Sequence, residues 1–280
     1  MKTGHSAGFR HGGDHGRMRS RPTFEWASYR GQGLAAPVVL IHGLLGHLAF
    51  PELTTGMPGF DVFAPDLPGF GRLASTPPDQ VSIEHHVAWL ERGIHERFGD
   101  QPVNLVAHSV GGVTAMLFAH RHPSRVRAIV NAEGNLSMAN AFWSSTLAHM
   151  SSDEIGHWLG GMAAAPDAWL RRYLVEPTVE RVDRASDWIA YQPPESIRAM
   201  AESVLAETAG MRFRSRLLEV MHSHRVHLVA GDRSLNDWNL PHALREQAAS
   251  LTLIHGTGHL MVLEDPQAFA RVAARCLDAG

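Results

Sequence analysis

Short runs dominated by apolar residues alternate along the chain with stretches whose apolar positions recur every three or four residues. Pro37–Ile41, Phe60–Ala64, Val103–Val106, Val126–Val130, Val226–Ala230 and Leu251–Ile254 are runs of the first kind. Their lengths and mainly apolar character predict strands, and the continuous run Pro37–Ile41 predicts one buried on both faces. Thr23 to Tyr29 alternates instead, which predicts a strand with one wet face, closed by Gly31-Gln32-Gly33. Between them, Ile83, Val87, Leu90, Ile94 and Phe98 keep helical spacing and predict an amphipathic helix over 82–98. Further helices are expected over Val110–His120, Pro241–Ala249 and from Pro266 to about Leu277. Strand and helix in alternation predict an α/β fold, with a mostly parallel sheet flanked by helices.

The alternation breaks after Asn135. From Leu136 to Ser223 no strand-like run occurs, and helical segments follow one another near 138–150, 152–162, 166–174, 178–191 and 194–208. This stretch reads as a helical cap, or lid, inserted into a core made of 23–135 and 224–280. It holds Trp143, Trp158, Trp169 and Trp188 with Met150, Met162, Met200, Met211 and Met221. Most of these are expected to form the cap's own core. An apolar cover over a polar site still predicts an apolar small-molecule substrate.

Composition narrows the setting. At 280 residues the chain has room for one large domain with an insertion, and its 44% apolar and 19% charged residues are ordinary for a globular protein. A net charge of -3 gives no bulk attraction to nucleic acid. No apolar stretch reaches the roughly 20 residues of a membrane span. The only cysteine, Cys276, excludes an internal disulfide and fits a reducing, cytoplasmic compartment. Residues 1–22 read as a flexible tail, and its basic start lacks the apolar segment of a secretory signal. The tail's His5, His11 and His15 are not read as a metal site, because ordering a glycine-rich segment is costly.

The chemistry gathers at Val103-Asn104-Leu105-Val106-Ala107-His108-Ser109-Val110-Gly111-Gly112. A buried strand ends at a serine among small residues, and a helix starts at once. Such a strand–turn–helix holds the hydroxyl of Ser109 out from the sheet edge and aims the Val110 N–H at any oxyanion formed there. The glycine-rich loop His42-Gly43-Leu44-Leu45-Gly46 follows the Pro37–Ile41 strand, so the Leu44 N–H is the second candidate donor. A serine hydroxyl needs a base within hydrogen-bond reach. His259 follows the last strand and a Gly-x-Gly turn, and is the candidate base. His255 reads as a packed neighbour, and the ring of His108 is expected to point away from the nucleophile.

With His42-Gly43, Asp66-x-Pro68-Gly69-x-Gly71, Ala107-His108-Ser109-Val110-Gly111-Gly112 and Gly258-His259 with Pro266 in this order, the chain resembles an α/β-hydrolase with a helical cap. The resemblance covers about 23–280. It implies a catalytic carboxylate, and here the sequence departs from the commonest pattern. The position three residues beyond Gly231, usually aspartate, is Ser234. Glu133, at the tip of the strand after the nucleophile helix, is therefore the preferred acid, with Asp232 the alternative. Leu45, Trp143, Trp158, Met162 and Leu260 are candidates for the substrate pocket.

A serine nucleophile argues against the dehalogenase and epoxide hydrolase members, which use aspartate. The implied activity is hydrolysis of a carboxylic ester, thioester or lactone through an acyl-serine, with no metal or organic cofactor. A carbon–carbon bond hydrolase or a cofactor-free perhydrolase or haloperoxidase-like enzyme would use the same groups. A non-catalytic small-molecule receptor on this fold is the reading from a different class. Oligomeric state is left open.

Overall fold

The computed structural model describes residues 26–33 and 35–278. The tail at 1–22 and the start of the strand expected from Thr23 lie outside the described residues. Seven strands make one sheet: β1 (Trp26–Tyr29), β2 (Val38–Ile41), β3 (Val62–Pro65), β4 (Val103–His108), β5 (Val126–Ala132), β6 (Arg225–Gly231) and β7 (Ser250–Ile254). Their spatial order is β1-β3-β2-β4-β5-β6-β7, with β1 antiparallel to β3 and every other pairing parallel. Every residue of β2 and β4 is buried, whereas the edge strand β7 is mostly half-buried. A continuous apolar run and a position in the middle of the sheet thus go together, because a central parallel strand has helices on both faces.

Two helical layers cover the sheet. On one face α1 (Pro51–Thr55) packs against α12 (Pro266–Asp278). On the other, α2 (Ile83–Phe98) and α3 (Val110–Arg121) lie together. Ser82 starts α2 by accepting the His85 N–H, as a capping serine does. Ten of the twelve residues of α3 are buried. This helix has no polar face, so it holds its place by packing on all sides.

Between β5 and β6 the chain builds α4 (Phe142–Leu147), α5 (Ser152–Ala164), α6 (Pro166–Arg172), α7 (Val179–Ala190), α8 (Pro194–Thr208) and α9 (Met211–Ser223). Ser151 and Glu154 form a reciprocal capping box at the start of α5. α8 packs against α4 and α5, and α7 against α5 and α6. α9 departs from the expectation for 136–223: it lies against α3 and β6, covering the flank of the sheet. Met211, at its start, is exposed rather than part of a cap core.

The insertion is fastened down by specific bonds. Trp188 Nε1 donates to the His47 carbonyl at 3.0 Å, and Gly46 N–H donates to Gln192 Oε1 at 2.8 Å. Arg184 pairs with Glu52 at 2.8 Å and donates to the Leu263 carbonyl at 3.2 Å. No helix among the described residues is long and apolar enough to cross a membrane.

Candidate active site

β4 delivers Ser109 into a backbone conformation of φ 54°, ψ -125°. A side chain at such a positive φ costs roughly 1–3 kcal/mol and persists only where its surroundings impose it. Here the Ser109 N–H is held by the Ala132 carbonyl at 2.9 Å, and α3 begins at the next residue. Gly111 lets that helix start close against β2, since a Cβ there would stand 2.3 Å from the Ile41 carbonyl oxygen. The loop after β2 closes from the other side, and a Cβ on Gly43 would lie 3.1 Å from Ser109 Cβ. Among the described residues the N–H groups of Leu44 and Val110 have no protein acceptor.

Three side chains from three strand ends meet at this point. His259 Nε2 lies 3.2 Å from Ser109 Oγ, and its Nδ1 lies 2.8 Å from Glu133 Oε2. With Nδ1–H donating to the carboxylate, Nε2 presents its lone pair to the hydroxyl. Glu133 is buried and, like Ser109, sits at a positive φ, 42°. Its backbone is pinned by Glu133 N–H donating to the Val229 carbonyl at 3.0 Å, and by Gly134 N–H donating to Asn131 Oδ1 at 3.0 Å.

The second oxygen of Glu133 is also satisfied. Oε1 accepts the Gly231 N–H at 2.9 Å and the hydroxyl of Ser234. Burial alone would push the carboxyl up. The bonds from His259, Ser234 and Gly231 outweigh it and hold Glu133 below the ordinary carboxylate value.

Asp232 is elsewhere. Its carboxylate accepts the Gly256 N–H at 3.0 Å and pairs with His255 at 3.3 Å. His255 is 88% exposed, so it is a surface residue and not a packed one. Asp232 therefore closes a surface turn, and the structure does not bring it to His259. The ring of His108 lies 5.0 Å from the His259 ring, and its Nε2–H donates to the His259 carbonyl at 2.8 Å. Burial lowers His108 to about 3, so a neutral ring supports the His259 backbone.

Beside His259 and Glu133 a crevice of about 430 Å³ opens, walled by Phe142, Tyr173, Leu174, Trp238 and Leu260. Of the five pocket candidates, Leu260 lines it, and the Trp143 ring stands 6.2 Å from that of His259. Trp158 stacks edge-on behind Trp143, while Leu45 and Met162 are buried in the core. The wall residues missed by the sequence reading come from the starts and ends of insertion helices and from the loop after β6. Trp238 carries no local sequence signal; its Nε1 donates to the Gly134 carbonyl at 2.9 Å, tying that loop to the residue beside Glu133. No group of three or more His, Cys, Asp or Glu side chains among the described residues is placed to hold a metal ion.

A family model described as alpha/beta hydrolase fold matches residues 36–187, a span from β2 into α7. The chain belongs to that family. Among relatives, this family member is 28% identical over 173 residues to the lipase LipV of Mycobacterium tuberculosis, which is 61% of this chain and 58% of that one. It is 38% identical over 103 residues to 2-hydroxy-6-oxo-2,4-heptadienoate hydrolase of Pseudomonas putida, 35% of this chain and 37% of that one. The chain spans between 20% and 58% of the length of the first curated relatives it matches. Among solved structures, a thermophilic esterase of Thermogutta terrifontis superposes with a TM-score of 0.70 at 20% identity, over 91% of this chain and 94% of that one. At that identity the likeness is one of fold.

Proposed function

We propose that this family member is a serine hydrolase that cleaves a carboxylic ester, thioester or lactone of an apolar small molecule. The observation that carries the reading is the contact chain from Ser109 through His259 to Glu133, at 3.2 and 2.8 Å. His259 Nε2 takes the hydroxyl proton as Ser109 Oγ attacks the carbonyl carbon, and Glu133 stabilises the imidazolium that results. The oxyanion takes its hydrogen bonds from the Leu44 and Val110 N–H groups, which have no other acceptor among the described residues. The imidazolium then protonates the leaving group. Water deprotonated by His259 attacks the acyl-serine and releases the acid, so nothing beyond the protein and water is consumed.

The crevice supports the apolar part of the substrate. Phe142, Tyr173, Leu174, Trp238 and Leu260 line it beside the charged Arg172, Arg233 and Asp237, with Ser109 outside its lining, and Phe142 and Leu174 are 54% and 76% exposed. Large apolar side chains left in water beside a polar catalytic group fit a surface meant to be covered by substrate. The helices from α4 to α8 act as the lid in this reading, and α9 belongs to the core. A reducing, cytoplasmic setting fits the single cysteine.

A second reading has its own support. The relative at 38% identity is named 2-hydroxy-6-oxo-2,4-heptadienoate hydrolase, and the same three groups in this chain would serve the cleavage of a carbon–carbon bond. Turnover of a set of p-nitrophenyl esters by wild type and Ser109→Ala separates the readings. Esterase activity that disappears in Ser109→Ala supports the first. Inertness toward every ester, with turnover of a ring-fission diketone, replaces it with the second.

A further inference from the structure

Six residues after the Gly258–His259 turn begins, the chain places a second buried carboxylate. Glu264 is at the end of α11 (Met261–Glu264), and its side chain is 3% exposed. Glu264 Oε1 accepts the Gly258 N–H at 2.8 Å. Its Oε2 takes a hydrogen-bonded ion pair from Arg233, whose guanidinium also donates to the carbonyl of Leu174. Leu174 stands at φ 58° in the loop between α6 and α7 and lines the crevice beside His259.

Burying a carboxylate is expensive unless it is paired and bonded. Burial does push the Glu264 carboxyl up, against the pull of the Gly258 N–H and the cations Arg233 and Arg181, with Glu133 pushing the same way as burial. Arg181, on α7, donates to the Glu264 carbonyl at 3.0 Å. Glu264 is thus bonded to the turn that carries His259, to Arg233 in the loop after β6 and, through its carbonyl, to the insertion.

We propose that Glu264 and Arg233 are positioning residues that fix the Gly258–His259 turn and lock it to the Leu174 loop. The proposal rests on His259 being the general base. His108 holds the His259 carbonyl from one side, and Glu264 holds the Gly258 amide just before it. With Glu264 holding the preceding amide, Nε2 stays on Ser109 Oγ. Arg233 makes the hold depend on the insertion being seated, because one guanidinium serves both Glu264 and Leu174.

The test uses the full chain with Glu264→Ala, Glu264→Gln, Arg233→Met and wild type. Two readouts are taken: kcat and KM on an aryl ester, and the low-field NMR proton of the Glu133–His259 hydrogen bond. Positioning predicts that Glu264→Ala lowers kcat on the order of tenfold or more with KM little changed, since small misplacements of reacting groups are costly. Glu264→Gln keeps an oxygen for the Gly258 N–H and restores most of kcat. Arg233→Met lowers kcat and broadens the low-field proton.

Should Glu264→Ala fail to fold, the glutamine and methionine variants carry the comparison. Wild-type kcat with a sharp low-field proton in Arg233→Met overturns the proposal. So does a loss in Glu264→Gln as large as in Glu264→Ala. If wild type hydrolyses no ester while the proton still responds to these variants, the esterase reading fails and the positioning role stands.

Discussion

Ser234 donates its hydroxyl to Glu133 Oε1 from the position where the family resemblance leads one to expect an aspartate. In the proposed triad the acid and its support have traded strands. The carboxylate sits at the tip of β5, and the end of β6 supplies a hydroxyl and the Gly231 N–H to hold it. The arrangement explains why a glutamate suffices there: one oxygen faces His259 while the other is fully occupied.

This relationship makes Ser234 a sensitive position. Ser234→Ala removes one hydrogen bond to a charged group, and kcat for ester hydrolysis is expected to fall on the order of tenfold. Ser234→Asp sets a second carboxylate against Glu133 and is expected to be worse than alanine. Adding Glu133→Gln to Ser234→Asp relieves the repulsion but also removes the carboxylate that faces His259, so activity recovers only as far as the new aspartate takes over that contact. Steady-state kinetics on the single and double variants measures the coupling.

The loop after β2 is expected to be as intolerant as the elbow. A methyl at Gly43 would come within 3.1 Å of Ser109 Cβ and 3.3 Å of the His108 carbonyl oxygen. Ser109 cannot yield, because its backbone is fixed by the Ala132 carbonyl and the start of α3. Gly43→Ala should lower kcat on the order of tenfold while thermal unfolding shows a folded protein.

Three of the buried histidines, His42, His86 and His108, are expected to weaken the fold at acid pH. Burial lowers His42 to about 4 and His86 and His108 to about 3, against an ordinary value of 6.5. Below pH 6.5 the unfolded chain protonates these rings and the folded chain does not. Their contribution is therefore complete above that pH and is lost as pH falls toward the folded values. At pH 5 the loss is about 2 kcal/mol for each ring. Urea unfolding from pH 7 to 4.5 should show midpoints that fall steeply, and His86→Gln should reduce the slope by about one proton.

The sheet was legible because strands buried on both faces are written as mainly apolar runs: β2 is wholly apolar, and β4 and β6 are broken only by Asn104 and His227 between their first and last residues. The elbow was legible because a serine between such a run and a helix has few structural uses. Glu133 could be preferred over Asp232 because Ser234 occupies the usual acid position. What holds Asp232 away, the Gly256 N–H and His255, is a contact between loops that no local pattern encodes.

The crevice was read least well. Leu45, Trp158 and Met162 are apolar residues near the right places in the chain, yet which side of an insertion helix meets the site is decided by packing between helices. The walls come instead from Tyr173 and Leu174 just past the end of α6, from Phe142 at the start of α4 and from Trp238 in a loop. α11 was not anticipated, because four residues are too few to show a period. Its last residue, Glu264, went unremarked for the same reason.

The central claim is that His259, oriented by Glu133, makes Ser109 a nucleophile. A fluorophosphonate probe followed by peptide mass mapping measures this directly in wild type, Ser109→Ala, Glu133→Gln and Asp232→Asn. The expected result is a label on Ser109 in wild type, none in Ser109→Ala, sharply slowed labelling in Glu133→Gln, and a wild-type rate in Asp232→Asn. Folded wild-type protein that leaves Ser109 unlabelled would contradict the claim, as would an Asp232→Asn variant that slows while Glu133→Gln does not.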